Sequence, residues 1–205
     1  YVLGLEGKSG NPSPFTAYGT FLGMKAALNH QRGIQDFSGI KVAVQGLGAV
    51  AYGLCKHLSE AGAELFVTDI NHVAVERVVN DFGATAVGID EIYDLDVDVY
   101  APCALGATIN DTTIPRLKAT IVAGCANNQL AESRHGEILR EKGILYAPDY
   151  VINAGGIINV YYETAPEGYS KEASNKHVER IYDTLSEIFT RSEKEQKSTH
   201  LIADE

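Results

Sequence analysis

The sequence has no tryptophan, a single methionine and no long run of apolar residues. A helix that crosses a bilayer needs about 20 consecutive apolar residues, and no segment approaches that length. Nothing in the sequence resembles a signal peptide. These absences argue against a membrane protein and against a secreted one, so we expect a cytoplasmic location.

Basic residues are also scarce. The chain has 17 Lys and Arg against 27 Asp and Glu, which gives a formal net charge of −10. Binding to nucleic acid or to an anionic membrane needs clustered Lys and Arg, because the partner presents a dense array of phosphates. The sequence has no basic block, so we expect neither nucleic acid nor membrane as a partner.

Cysteine is rare, with Cys55, Cys103 and Cys125 as the full set. None is spaced as half of a metal-binding pair, and an odd number in a chain of this length does not form a disulfide framework. The six histidines are scattered without the short spacing that zinc ligands show. We therefore predict reduced thiols and no metal site.

What the sequence does contain is an alternation of extended and helical segments. With 205 residues, of which 45% are hydrophobic, the chain can bury a substantial core. Ser13 and Pro14 predict a helix start, with Ser13 as the cap. Short apolar runs then alternate with helical patterns, and a long helix is predicted over residues 173–195. This order indicates an α/β fold of the Rossmann type: a doubly wound, mostly parallel sheet with flanking helices.

One βαβ unit carries the clearest chemistry. An apolar run ends at Gly46-x-Gly48-x-x-Ala51, and Asp69 lies 23 residues after Gly46, at the end of a second apolar run. Glycines allow the sharp turn and the close approach of a pyrophosphate, which then meets the positive end of a helix. The carboxylate of Asp69 is placed to bind ribose hydroxyls and to repel a 2′-phosphate, which favours NAD over NADP. The alternative for Asp69 is a helix cap, but Asn71 is closer to the next helix.

Three loops rich in small residues follow later predicted strands, at residues 102–107, 124–128 and 148–156. Asn127, Asn128 and Asn153 in these loops can bind a nicotinamide carboxamide or a substrate carboxylate, or they can simply cap helices. We favour a binding role for Asn127 and leave Asn153 open between the two. Cys103 is interpreted as a small thiol rather than a nucleophile. No lysine stands out as a proton acceptor; Lys8 falls in a predicted linker.

Six blocks together resemble the amino acid dehydrogenases of the glutamate, leucine, phenylalanine and valine family. They are residues 10–19, 46–52, 67–71, 102–107, 126–130 and 149–156. The resemblance runs in order from Tyr1 to about Phe189. It implies a homo-oligomeric enzyme that catalyses the reversible, NAD-dependent oxidative deamination of L-leucine or a related branched-chain amino acid to the 2-oxo acid and ammonia.

The resemblance also implies roles for individual residues. Cofactor-binding residues would be Thr16, Gly46, Leu47, Gly48, Ala49, Val50, Ala51, Tyr52, Asp69, Ile70, Cys103, Ala104 and Asn127. Substrate contacts would come from Asn127, Asn153 and Val178. No catalytic residue is expected in this chain, because the family carries its catalytic lysines and aspartate in an N-terminal domain. Residues 1–13 would then be the linker from that domain, and residues 14–205 the NAD-binding domain with its C-terminal helix.

Other functions remain open at this point. A valine or phenylalanine dehydrogenase of the same family would share these motifs, and a non-catalytic sensor of NAD would share the cofactor site. A methyltransferase that uses S-adenosylmethionine is less favoured, because its turn has a third glycine where this chain has Val50.

Overall fold

A computed structural model describes residues 10–164 and 168–205. Most of the predicted linker, including Lys8, lies outside the described residues. The described chain forms a six-stranded sheet in the order β3-β2-β1-β4-β5-β6, with every neighbouring pair parallel. The strands are β1 (Lys41–Gln45), β2 (Glu64–Thr68), β3 (Thr85–Ala86), β4 (Val99–Pro102), β5 (Ile121–Val122) and β6 (Leu145–Tyr146). The predicted Rossmann-type fold is confirmed.

Helices connect and cover the strands. They are α1 (Ser13–Arg32), α2 (Ala49–Glu60), α3 (His72–Phe82), α4 (Arg134–Glu141), α5 (Asp149–Ile152), α6 (Gly155–Tyr161), α7 (Lys171–Glu195) and α8 (Thr199–Ala203). Short 3₁₀ turns lie at Glu91–Asp94 and Tyr162–Thr164. Among the described residues, no helix combines the length and the apolar character that crossing a membrane requires.

Alternate strand residues pack into two separate hydrophobic cores. Val42 and Val44 of β1 belong to one core, whereas Ala43 between them belongs to the other. The same alternation separates Val99 from Tyr100 in β4. Successive side chains of a strand point to opposite faces of the sheet, so apolar groups cover both faces.

Most predicted elements are present, with local corrections. The predicted cap of α1 at Ser13 is wrong: the cap position is Pro12, Ser13 is already helical, and the Ser13 amide donates to Asn11 Oδ1 at 3.0 Å. The predicted cap of α3 at Asn71 is confirmed, because its side chain accepts from the amides of Val73 and Ala74. Helices α5 and α8 were not predicted.

The spacing of Leu130, Ile138 and Leu139 predicts a helix over residues 130–142, but α4 begins four residues later, at Arg134. Residues 129–131 pair instead with the segment around Ile109. The Ile109 amide donates to the Gln129 carbonyl at 3.0 Å, and the Ala131 amide donates to the Ile109 carbonyl at 2.9 Å. These backbone groups are therefore engaged in an extended pairing, which delays the helix.

Candidate functional site

The strand order reverses between β1 and β4, which are neighbours although they are not consecutive in the chain. The connections from these strands lead away in opposite directions, which opens a crevice at their carboxyl ends. Gly46 follows β1 there, with φ of 95°. A Cβ on Gly46 would lie 2.6 Å from the Cβ of Ala104, which follows β4. The crevice therefore depends on a glycine at position 46.

The turn after Gly46 leads directly into α2. Gly48 is at the cap position, exposed, and a Cβ built on it would meet nothing within 4 Å. No side chain caps α2, so amides of its first turn are available to an external acceptor. Ala49 is exposed, Val50 is half-buried, and Leu47 and Ala51 are buried. A helix N-terminus beside open space is the arrangement that binds phosphate groups.

Asp69 is held against this turn. One carboxylate oxygen, Oδ2, accepts from the Leu47 amide at 2.6 Å, and Oδ1 accepts from the Asn71 amide at 2.8 Å. The side chain is half-buried. Each oxygen of an ionised carboxylate has a further lone pair, so both can still accept a hydroxyl hydrogen bond. This contact places Asp69 beside the glycine turn, and its predicted role in binding a ribose stays a prediction.

A cavity of about 210 Å³ adjoins Gly46 and Asp69, with mostly apolar walls. Ile70, Ile89 and Leu105 line it, and Ile70 and Leu105 are each 83% exposed. Because these exposed apolar side chains line one cavity, they form a patch of the kind found in ligand-binding grooves. Ile70 is among the cofactor residues that the family resemblance implies, whereas Ile89 and Leu105 are not. Each of these two lies three residues after the end of a strand, β3 or β4, and this position was the signal available in the sequence.

Tyr52, also predicted to bind cofactor, is turned toward α3. Its hydroxyl donates to Asp81 at 2.8 Å, and the Arg77 guanidinium lies 3.6 Å from the centre of its ring. The Tyr52 ring therefore joins α2 to α3 beside the glycine turn.

The loops after β5 and β6 are joined by a pair of asparagines. Asn153 Nδ2 donates to Asn127 Oδ1 at 2.6 Å and to the Cys125 carbonyl at 3.4 Å. Helices α4, α5 and α6 all begin without a side-chain capping bond, so neither asparagine serves as their cap. Cys103 and Ala104 lie on the neighbouring loop after β4, and Ala104 is exposed. The structure thus brings together the three loops that the sequence analysis singled out.

Thr16 and Val178 lie on the helices α1 and α7. Thr16 is half-buried where α1 meets α6, and a Cβ on Gly156 would lie 2.6 Å from its hydroxyl oxygen. Val178 is fully buried in α7, where its side chain packs close to Gly19 of α1. In this structure Val178 belongs to the core, and its contact with substrate stays a prediction.

The three cysteines are free thiols: Cys103 and Cys125 lie on the loops after β4 and β5, and Cys55 lies in α2. Interaction with the Cys103 thiol, together with burial, raises the Cys125 pKa well above its usual value. Burial also raises the pKa of Cys55 in α2. The spacing of the cysteines along the sequence does not indicate this proximity.

Among the described residues, one group has ligand atoms close enough for a metal ion: Asp111, Glu132 and His135. Arg134 already lies between the two carboxylates, donating to Asp111 and to Glu132. These hydrogen bonds lower the pKa of Asp111 to about 2. A cation would have to compete with the guanidinium, so this cluster is explained by ion pairing. The absence of a metal site stays a prediction.

The comparisons with known proteins agree with this geometry. The sequence profile of the Glutamate/Leucine/Phenylalanine/Valine dehydrogenase family matches residues 67–204. The chain belongs to this family. It is 57% identical over 207 residues to leucine dehydrogenase from Bacillus cereus, and the match covers 100% of this chain and 56% of that protein. It is 52% identical over 201 residues to L-tryptophan dehydrogenase from Nostoc punctiforme, covering 98% and 56%.

Solved structures of this dehydrogenase family share the fold. The crystal structure of L-tryptophan dehydrogenase from Nostoc punctiforme superposes with a TM-score of 0.92 at 50% identity, covering 95% of this chain and 59% of that one. A hetero-hexameric glutamate dehydrogenase from Thermus thermophilus gives 0.73 at 21% identity, covering 95% and 50%. The chain spans little more than half the length of the relatives that it matches.

Proposed function

We propose that this chain is the NAD-binding part of an enzyme that oxidatively deaminates L-leucine or a related branched-chain amino acid. The observation that carries the proposal is the crevice between β1 and β4. It combines a glycine turn, the N-terminus of α2 without a side-chain cap, and the Asp69 carboxylate, which accepts a hydrogen bond from Leu47 in that turn. In a member of this family, these are the groups that a dinucleotide requires.

The residues present fit a dinucleotide at each point. Gly48 leaves open space in front of the α2 amides, so a diphosphate can reach them. Asp69 would accept hydrogen bonds from the adenosine ribose, and its negative charge disfavours a 2′-phosphate. Ile70, Ile89 and Leu105 offer an apolar cavity beside Asp69 for the adenine. Leu47, Ala49, Val50, Ala51 and Tyr52 shape the turn and the first turns of α2.

The loops after β4, β5 and β6 would hold the nicotinamide end. When bound, the nicotinamide supplies the acceptor for the hydrogen that amino acid oxidation removes. Asn127 and Asn153 fix each other's orientation, which presents amide groups at a defined place in the loops. Thr16, Cys103 and Ala104 would border this end of the site. We also propose that Val178 supports the substrate side chain from the core.

We propose that the proton-transfer residues belong to sequence that the relatives have outside the matched region. The preferred substrate would then depend on residues of this chain and on residues of that unmatched region. The likeness to leucine dehydrogenase favours leucine. Residues 1–13 would connect the two parts, residues 14–205 would bind cofactor, and the whole enzyme would be a homo-oligomer. Phenylalanine and valine are the second choice of substrate.

Titration calorimetry of the 205-residue chain with NADH and with NADPH tests the cofactor proposal. We expect NADH to bind at least about tenfold more tightly, which corresponds to about 1.4 kcal/mol. Equal affinity would remove the role of Asp69, and no heat with either nucleotide would overturn the proposal.

The alternative of a non-catalytic NAD sensor is tested separately. Fusing the chain to the unmatched part of the Bacillus cereus leucine dehydrogenase should give leucine-dependent formation of NADH. A fusion that folds and binds NADH, yet oxidises none of leucine, valine and phenylalanine, would favour the sensor.

A further inference from the structure

Two of the cysteines lie on neighbouring loops at the same end of the sheet. Strands β4 and β5 are parallel, Tyr100 pairs with Val122, and the Ala123 amide donates to the Tyr100 carbonyl at 3.0 Å. The next bond joins the Ala126 amide to the Pro102 carbonyl at 3.0 Å, so the chain after β5 has one extra residue at this point. Cys125 therefore lies beside Pro102, and Cys103 follows Pro102 directly.

The two backbones are in tight contact directly before the cysteines. A Cβ on Gly124 would lie only 2.2 Å from the Pro102 carbonyl oxygen. Neighbouring strands are separated by about 4.8 Å, and a disulfide spans Cα atoms about 4.4–6.8 Å apart. The two side chains also interact with each other, and this interaction contributes to the raised pKa of Cys125. A bond between the two sulfurs therefore joins side chains that already interact.

The three thiols differ in access to solvent. Cys103 and Cys125 are half-buried, whereas Cys55 is fully buried inside α2. A small oxidant can therefore reach the Cys103–Cys125 pair more easily than Cys55. Reactivity of a cysteine depends on access and on its thiolate fraction. Cys103 is followed by exposed residues at 104–106, whereas Cys125 lies between the buried Gly124 and Ala126, so Cys103 is the first to react.

We propose that Cys103 and Cys125 form a reversible disulfide when the protein meets a peroxide. In the first step the Cys103 sulfur attacks the peroxide, the O–O bond breaks, and Cys103 becomes a sulfenic acid while water leaves from hydrogen peroxide. In the second step the Cys125 sulfur attacks Cys103, the S–O bond breaks, and a second water leaves. Two thiols thus lose two electrons and two protons, and the peroxide is reduced.

The disulfide also affects the loops that we assign to the nicotinamide, a consequence that rests on the proposed function. Cys103 precedes Ala104, and the Cys125 carbonyl accepts from Asn153, which orients Asn127. Drawing the two sulfurs together displaces this hydrogen-bonded set. We expect the oxidised chain to bind NADH about tenfold more weakly than the reduced chain.

Peptide mapping of the whole chain tests the chemical step. Trypsin separates the three cysteines, since cleavage after Lys and Arg places Cys55 in residues 42–56, Cys103 in 78–116 and Cys125 in 119–134. After limited hydrogen peroxide and without reductant, we expect a linked species of 78–116 and 119–134 that has lost two hydrogen atoms. Dithiothreitol should restore the separate peptides.

Two variants make the assignment specific. Cys55→Ala should leave the linked species unchanged, whereas Cys125→Ala should abolish it and leave a sulfenic acid on Cys103 that a dimedone probe captures. Linkage of 78–116 to 42–56, linkage only between separate chains, or unlinked peptides carrying sulfinic acid would overturn the proposal. These outcomes do not depend on cofactor binding.

NADH titration of the reduced and oxidised chains then tests the consequence. If the reduced chain binds no NADH, the proposed function fails while the disulfide result stands. If both forms bind NADH equally, the coupling between the disulfide and the cofactor loops is wrong.

Discussion

At the scale of single residues, Gly46 and Gly48 provide a matched pair. Gly46→Ala should lower the free energy of unfolding by about 2–4 kcal/mol, because its φ is positive and the new Cβ meets Ala104. Gly48→Ala should cost less than about 1 kcal/mol, since its backbone is ordinary and nothing lies within 4 Å. Urea unfolding measures both values.

The same two substitutions distinguish an effect on folding from an effect on binding. Gly48→Ala should weaken the binding of NADH by about tenfold or more, because its Cβ would project into the space assigned to the diphosphate. Calorimetry on the folded variant gives the affinity. Unchanged NADH affinity in Gly48→Ala would place the diphosphate elsewhere.

Asp69 is the residue that we hold responsible for cofactor choice. Asp69→Asn should weaken the binding of NADH about tenfold and the binding of NADPH much less. The substitution removes the negative charge that holds the ribose and repels a 2′-phosphate. Comparative titration with both nucleotides is the measurement. Asp96 is exposed and lies just before β4, at the amino end of that strand. Asp96→Asn makes the same change in charge there and should alter the affinity for neither NADH nor NADPH.

At the scale of elements, α3 begins on a cap that the sequence identifies. Asn71→Ala should cost about 1 kcal/mol of unfolding free energy, because two amides lose their acceptor. Asn80→Ala makes the same change at an exposed position inside α3 and should leave stability equal or slightly higher. Equal urea midpoints for the two variants would mean that the cap contributes nothing.

Local signals account for the elements that were predicted correctly. The glycine turn, the Asn71 cap and the apolar runs of β1 and β2 each depend on neighbours in sequence. The start of α4 and the existence of α8 depend on tertiary contacts instead. Leu130 is drawn into pairing with Ile109, and α8 begins where Thr199 donates its hydroxyl to the Tyr146 carbonyl.

The candidate site divides in the same way. The sequence alone predicts Gly46, Gly48 and Asp69 as site residues, because one βαβ unit sets their spacing. Other parts of the site form where separate loops meet. They are the pairing of Asn127 with Asn153, the cavity walls at Ile89 and Leu105, and the proximity of Cys103 and Cys125. Their positions follow from strand order, which a single sequence indicates only through resemblance.

At the scale of the whole molecule, acid stability should reflect surface ion pairs. Hydrogen bonds from Arg116 lower the pKa of Asp90 and Asp94, and Arg134 lowers that of Asp111 to about 2. A carboxyl whose pKa is lower in the folded state stabilises the fold above its unfolded pKa of about 4. That contribution is lost as the pH falls from about 4 toward 2.

Urea unfolding between about pH 5 and pH 2 measures this loss, and added salt should reduce it because the groups are exposed. Arg134→Gln should flatten the pH dependence, since Asp111 loses its partner. Arg180→Gln makes the same change in charge at an exposed position on α7 and should not. An equal slope in both variants would contradict the role of the Arg134 ion pair.

The central claim concerns where a dinucleotide lies on the whole fold, and a crystal structure of the chain grown with saturating NADH tests it most directly. We expect the diphosphate over Gly48 at the start of α2 and the adenosine ribose on Asp69. Electron density for NADH at any other surface, or a crevice filled by the protein's own side chains, would contradict the account.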